Sequence, residues 1–138
     1  MKRMNRTVRV LVGLATAATA LGGLAAPSAS AATPQVTAGC YGASCHGMDP
    51  VDAGCSADAY TVESRDSAEG TIELRYSPSC RANWARIYDA SNGQQFWAEN
   101  ASRVVWWKAI GSTGYSDMVD GSGKVRACID GGACTDWH

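Results

Sequence analysis

The sequence predicts a mainly β protein: a small antiparallel barrel or sandwich of five or six short strands, linked by disulfides and preceded by an irregular N-terminal loop. Three observations lead to this fold class. Apolar and polar residues alternate in several short segments, turns rich in Gly and Asn separate those segments, and the chain contains six cysteines. With 138 residues, the chain has room for one small domain and a processed segment.

Residues 1–31 have the three-part pattern of a secretory signal peptide. Four basic residues and no acidic one lie within residues 1–9, an uncharged stretch follows over residues 10–27, and small residues precede the expected cleavage site after Ala31 or Ala32. A membrane-spanning helix is the alternative, but Ala, Gly and Thr dilute the apolar stretch. We therefore expect export, with no lipid anchor because no cysteine lies at the junction.

The remaining chain is expected to consist of a flexible leader over residues 32–38 and a single domain over residues 39–138. Cleavage after residue 31 removes four of the twelve basic residues and none of the thirteen acidic ones, which leaves a net charge of −5. Nucleic acid and anionic lipid both attract clustered Lys and Arg, which this segment lacks. We expect a monomer that binds neither nucleic acid nor, after cleavage, a membrane.

The cysteines all lie in the part of the chain expected to be exported. An even number of cysteines in a small exported domain indicates disulfides. The segment between the last two contains Asp130-Gly131-Gly132, a turn sequence that brings their sulfurs together, so we pair Cys128 with Cys134. The expected disulfide residues are Cys40, Cys45, Cys55, Cys80, Cys128 and Cys134.

A β-hairpin is predicted between the third and fourth cysteines. Residues 59–65 and 71–76 alternate between apolar and polar side chains, and residues 66–70 form a loop rich in turn formers. Cys55 and Cys80 are nearly equidistant from the middle of this loop, so antiparallel pairing would bring them together and leave Cys40 to pair with Cys45. The alternative, Cys40–Cys55 with Cys45–Cys80, stays open.

The rest of the chain contains further strand signals. Residues 80–88 fit a strand, with Ala82, Trp84 and Tyr88 on one face, slightly better than a helix. The turn at Asn92-Gly93 then precedes a return strand over residues 94–98.

The strongest strand signal covers residues 103–110, which are rich in β-branched and aromatic side chains. Four glycines interrupt the segment that follows, and residues 124–129 form a last short strand. Such a domain has a thin core, so its disulfides should contribute much of its stability.

A zinc site is the alternative use of the N-terminal cysteines. Cys40, Cys45, His46 and Cys55 lie close together in the sequence. Structural zinc ligands are usually spaced more tightly than Cys40 and Cys45, and exported chains meet oxidising conditions. We therefore expect disulfides and no metal or other cofactor.

Two motifs resemble a known family. Residues 40–50 contain the pattern Cys-x4-Cys, Gly and Asp-Pro, and residues 73–86 contain Tyr-Ser-Pro-x-Cys followed by Trp84. Both are similar to the YjfA-like family, secreted proteins of Gram-positive bacteria built on a domain of unknown function. The resemblance covers roughly residues 39–130 and implies a bacterial source and export, but no established activity or ligand. Cys128, Cys134 and residues 135–138 match it least well.

The sequence contains no catalytic motif that we recognise. Neither His46 nor His138 lies in a nucleophile elbow, and Gly-x-Ser-x-Gly is absent. Pairing of all six cysteines would leave no thiol nucleophile. Carboxylates for glycoside cleavage would have to come from loop acids, which are more simply explained as solvated side chains. We predict no catalytic residue; the acids considered are Asp49, Asp52, Asp58 and Asp89.

The tryptophans are the candidate binding residues. Five Trp are many for so short a chain, although a core role explains most of them. Neighbouring residues of a strand point to opposite faces, so one of Trp106 and Trp107 should face solvent. An exposed indole can stack on a sugar or anchor a protein partner. We therefore predict an exported, non-enzymatic module that binds a glycan or a protein through Trp107, Trp97 or Trp106. A small exported hydrolase inhibitor is the alternative, and an exported hydrolase is a less favoured one.

Overall fold

The computed structural model describes residues 37–138, so the predicted signal peptide and nearly all of the predicted leader lie outside the described residues. Eight strands and two short 3-10 helices, Gly42–Cys45 and Cys55–Asp58, make up the regular structure there. The strands are β1 (Tyr60–Ser67), β2 (Gly70–Ser77), β3 (Ala82–Tyr88), β4 (Gln95–Asn100), β5 (Val104–Lys108), β6 (Gly114–Tyr115), β7 (Val119–Asp120) and β8 (Val125–Ile129).

The strands form two antiparallel sheets that pack face to face. The five-stranded sheet has the order β1-β2-β3-β6, with β7 also paired to β3, and the three-stranded sheet has the order β5-β4-β8. The predicted mainly β fold is confirmed, and of its two forms the sandwich is the one present. The strand number exceeds the predicted five or six because β6 and β7 have two residues each, too few to show alternation.

The main core lies between the two sheets and follows the alternation of their strands. Residues 72 and 74 of β2 and residues 85 and 87 of β3 meet inward-facing residues of β4 and β8. All of these side chains are almost completely buried, and they are small or medium in size apart from Phe96. The inward residues are Ile72, Leu74, Ala85, Ile87, Phe96, Ala98, Ala127 and Ile129.

Strand β3 is buried on both faces. Ala85 and Ile87 face the main core, whereas Ala82 and Trp84 belong to a second buried cluster on the opposite side of the five-stranded sheet. Trp84 is only 3% exposed and is therefore not a binding candidate. Because both faces are apolar, the segment lacks the polar–apolar alternation that distinguishes a strand from a helix, which is why its sequence is ambiguous.

The N-terminal loop, residues 37–59, covers this second cluster as a third layer. It is irregular, as predicted, and backbone hydrogen bonds attach it to the sheet region: the Gly42 amide donates to the Cys80 carbonyl at 2.8 Å, and the Gly47 amide donates to the Met118 carbonyl at 2.9 Å. Cysteine side chains from the loop and from the turn between β2 and β3 fill the space between them. The loop is thus packed onto the domain rather than projecting from it.

All three disulfides follow the pairing favoured by the spacing. Their Cα atoms are 5.0 Å apart in Cys40–Cys45, 5.7 Å in Cys55–Cys80 and 4.0 Å in Cys128–Cys134. Among residues 37–138 no cysteine remains unpaired. The pairing that the sequence left open, Cys40–Cys55 with Cys45–Cys80, is therefore not the one in this structure.

A polar cluster joins the C-terminal segment to β1. The Glu63 carboxylate is hydrogen-bonded to the His138 ring and to the Arg65 guanidinium, and it accepts a hydrogen bond from the Asp136 amide at 3.0 Å. Burial alone would raise the pKa of Glu63, but these hydrogen bonds outweigh burial and lower the pKa from 4.5 to about 2.

Substituting Glu63→Gln is expected to lower the free energy of unfolding by about 1–2 kcal/mol at pH 7, since solvent screens the half-exposed partners of the carboxylate. Its pKa is lower in the folded than in the unfolded chain, so its contribution is present above pH 4.5 and disappears as the pH falls towards 2. Urea unfolding at pH 7 and pH 2.5 measures this change. Glu69→Gln, in the turn between β1 and β2, is the control. A loss as large at pH 2.5 as at pH 7 would contradict the assignment.

Candidate functional site

The outer face of the three-stranded sheet carries two tryptophans in contact. In β4, Phe96 and Ala98 point into the core, so Trp97 and Glu99 point outwards. Trp106 of β5 lies opposite Trp97 in the antiparallel register and therefore shares this outer face. The ring centroids of Trp97 and Trp106 are 4.2 Å apart with an angle of 35° between the ring planes. Trp106 is 51% exposed, so the pair forms a broad apolar surface open to solvent.

An ion pair and a third tryptophan continue the same face. Arg126 of β8 lies opposite Glu99, and its Nε donates to Glu99 Oε1 at 2.6 Å. The Arg126 guanidinium is 4.6 Å from the centre of the Trp137 ring, a cation–π distance. Trp137 is 39% exposed. We call this surface the aromatic face; its residues are Trp97, Trp106, Trp137, Glu99 and Arg126.

Backbone pairing holds Trp137 in this position. The chain after Cys134 runs beside β8, where the amides of Val125 and His138 donate to each other's carbonyls at 2.8 and 3.0 Å. Trp137 is thereby placed beside Arg126, on the outer side. This segment is an additional edge of the three-stranded sheet, so the aromatic face extends across four aligned stretches of chain.

Trp107 lies on the opposite side of β5 from Trp106, as the strand alternation predicts. It is still 43% exposed because β5 is the edge of its sheet. There it lines a shallow groove of about 240 Å³ with Asp49, Ile110 and Tyr115. Of the three predicted binding tryptophans, the structure brings Trp97 and Trp106 together and separates Trp107 from them.

The sequence prediction missed Trp137, Glu99 and Arg126 as members of the face. The outward position of Glu99 could have been predicted by extending the alternation of β4 two residues beyond Trp97. The outward position of Arg126 could have been predicted from the alternation of β8 in the same way. That Arg126 lies opposite Glu99, however, depends on how the two strands pair. Trp137 has no local signal, because only tertiary pairing with β8 turns its segment into part of a sheet.

A second group of titratable side chains contains His46, Asp117 and Tyr115. Burial, and then the nearby Arg103 guanidinium, lower the pKa of His46. Burial and the carboxylate of Asp49 raise the pKa of Asp117. The same two causes raise the pKa of Tyr115. This group is where an acid–base reaction would be sought if the chain were a hydrolase.

The other loop acids have structural partners. Asp49 Oδ1 accepts hydrogen bonds from the Val51 and Asp52 amides at 2.7 and 3.1 Å, which closes a turn. Asp58 accepts hydrogen bonds from the Ser77 hydroxyl at 2.6 Å and the Ser79 amide at 2.9 Å.

Burial would raise the pKa of Asp58, but its hydrogen bonds outweigh that effect and lower the pKa. Asp89 follows β3 with a φ of 52°, a left-handed conformation that Asp tolerates. The hydrogen bonds of Asp58 and the backbone conformation of Asp89 give both residues a structural role, so neither needs a catalytic one.

Together, the fold and the aromatic face define a small disulfide-linked β-sandwich domain with an exposed aromatic surface. The chain belongs to the family described as "Protein of unknown function (DUF2690)", whose model matches residues 43–128. No curated protein and no solved structure matches the chain. The family match ends within β8, so Trp137 and Cys134 lie beyond it.

Two observations concern the compartment. Three disulfides are typical of proteins in oxidising surroundings. Over residues 37–138, no helix has both the length and the apolar character that crossing a bilayer requires.

Proposed function

We propose that this protein is an exported, non-enzymatic module that binds an extended glycan on the aromatic face. The observation that carries the proposal is the contact between Trp97 and Trp106 on an exposed sheet surface. Burying Trp106 would remove this apolar area from water, yet more than half of its surface is exposed in the free protein. A ligand that covers the two indoles would remove this exposed apolar surface from water.

The chemistry of the face suits a sugar chain. Indole rings stack on the apolar C–H face of a sugar ring, and charged side chains beside them hydrogen-bond to the hydroxyl groups at its rim. Arg126 can donate such hydrogen bonds and Glu99 can accept them, and both lie next to the indoles on adjacent strands. Because strands hold these side chains in place, little side-chain freedom is lost on binding.

Trp106→Ala is expected to weaken adsorption to insoluble glycans about tenfold, because loss of a stacking contact costs about 1–2 kcal/mol. Co-sedimentation with chitin, cellulose and peptidoglycan measures adsorption. Trp107→Ala is the matched control, since it removes the same side chain from the neighbouring position on the opposite face. Adsorption that is unchanged by Trp106→Ala, or reduced equally by both substitutions, would refute the aromatic face as the binding surface.

A protein ligand, including a hydrolase that the module inhibits, is the second candidate. The observation in its favour is the groove beside Trp107, where Ile110 is 82% exposed. Large exposed apolar residues of this kind often contact protein partners. Inhibition of a hydrolase that Ile110→Asp abolishes and Trp106→Ala preserves would support this candidate over a glycan.

The non-enzymatic part of the proposal is tested separately. Peptide, ester and glycan substrates are incubated with the wild-type chain and with Asp117→Asn, which alters the acid–base group around His46. Turnover by the wild-type chain that this substitution abolishes would make the protein a hydrolase and refute the proposal. The finer identification as a YjfA-like protein exported by a Gram-positive bacterium belongs to the same proposal, and the disulfides support its exported location.

A further inference from the structure

Four cysteine sulfurs gather in one buried place. The Sγ atoms of Cys40, Cys45, Cys55 and Cys80 all lie within 4.8 Å of one another. Between the two disulfides, Cys40 Sγ and Cys55 Sγ are 3.8 Å apart. In a tetrahedral zinc–thiolate site the Zn–S distance is about 2.3 Å, which places the sulfurs about 3.8 Å from one another. Cys40 Sγ and Cys55 Sγ, which belong to different disulfides, thus already have the spacing of two ligands in a four-thiolate zinc site, whereas the bonded sulfurs have to move apart.

We propose that the reduced form of this protein binds one zinc ion through these four cysteines. A dithiol reductant supplies two electrons and two protons to each disulfide, which gives four thiols and two oxidised dithiols. Zinc then displaces one proton from each thiol and is bound by four thiolates, with four protons released. Cys80 takes the place that the sequence gave to His46 as a fourth ligand, because the fold brings the turn between β2 and β3 to the N-terminal loop.

Backbone hydrogen bonds and side-chain packing also hold the segments that carry these cysteines next to one another. The Gly42 amide hydrogen-bonds to the Cys80 carbonyl, and the Gly39 amide hydrogen-bonds to the Ala53 carbonyl, each at 2.8 Å. The side chains of Trp84 and Met118 are buried against the same cluster. Separation of the bonded sulfurs therefore requires mainly rotation of cysteine side chains, and the surrounding apolar groups exclude water from the bound ion.

The third disulfide provides an internal comparison. Cys128 and Cys134 join β8 to the segment beside it and lie outside the four-cysteine cluster. Over residues 37–138, the four cysteines are the one group of three or more His, Cys, Asp or Glu side chains close enough to share a metal ion. A closed four-ligand set of this kind is typical of structural zinc rather than catalytic zinc.

Two double variants with equal numbers of cysteines test the proposal. Cys128→Ser/Cys134→Ser keeps the cluster, whereas Cys40→Ser/Cys45→Ser also keeps four cysteines but divides them between two places. Each full chain is reduced with dithiothreitol, desalted without oxygen and titrated with Co²⁺. We expect the absorption of tetrahedral cobalt–thiolate at one equivalent in the wild type and the first variant, its loss in the second, and its removal by one equivalent of Zn²⁺.

Fluorescence of the buried Trp84 shows whether each reduced chain is folded, with Trp84→Phe identifying its contribution to the signal. Binding of equal strength by both double variants would mean that any four thiols suffice, and would overturn the proposal. Absence of cobalt–thiolate absorption in the first variant would overturn it as well. Glycan adsorption is measured on the oxidised protein, so either proposal can fail without the other.

Discussion

Replacing Cys55 and Cys80 together with alanine is expected to lower the free energy of unfolding by about 3–5 kcal/mol. The bond between them joins residues 25 positions apart and encloses the whole β1–β2 hairpin, so its removal releases a large number of unfolded conformations. Both cysteines are completely buried, so the two truncations also leave a cavity beside Trp84. Urea unfolding of the oxidised proteins measures the loss.

The matched control is Cys128→Ala/Cys134→Ala, which removes a bond between residues only 6 positions apart. Its expected cost is about 2 kcal/mol, because a short loop has less conformational freedom to lose. Equal losses in the two double variants would show that loop length and burial do not determine the contributions of these disulfides. Total stabilities of small domains are about 5–15 kcal/mol, so the expected loss in the first variant is a large share of the total.

Phe96→Ala is expected to cost about 3–5 kcal/mol, because it empties the largest fully buried position between the sheets. Phe96 is the single phenylalanine of the chain, and its ring reaches across to Gly114 of β6, where an added Cβ would lie only 3.3 Å from Cζ. The facing core residues are mostly small or aliphatic, so they fill little of the space that the ring leaves. Thermal and urea unfolding measure the change.

Val104→Ala is the control for this prediction, since Val104 is 44% exposed at the edge of the same sheet and its truncation should change stability by about 0.5 kcal/mol or less. If Phe96→Ala and Val104→Ala had similar effects, the main core would not lie where the two sheets meet. Phe96 also supports the strand that carries Trp97 on its other side, so the substitution should weaken glycan adsorption through loss of order in the aromatic face.

The two proposed sites, the aromatic face and the four-cysteine cluster, lie on opposite sides of the main core. The aromatic face lies on the outer side of the three-stranded sheet, and the four cysteines lie between the five-stranded sheet and the N-terminal loop. The main core separates them. Substitutions in the four-cysteine cluster and substitutions in the aromatic face can therefore be tested independently, as long as the core stays intact.

The sequence by itself predicted the features that depend on near neighbours along the chain. Alternation identified the β1–β2 hairpin and placed Trp106 and Trp107 on opposite sides of β5, because side chains of a strand alternate whatever the strand packs against. The hairpin symmetry and the turn before Cys134 favoured the disulfide pairs that the structure contains, because each pair is brought together by local geometry.

Tertiary structure decided the features that depend on residues distant in the sequence. Burial of Trp84 results from the N-terminal loop covering one face of β3, a contact without local signal. Trp137 joins the aromatic face because its segment pairs with β8. Cys80 meets Cys40 because the N-terminal loop folds back onto the turn between β2 and β3. Local patterns specify which side of a strand a residue occupies, whereas the choice of what covers that side is made by packing between segments.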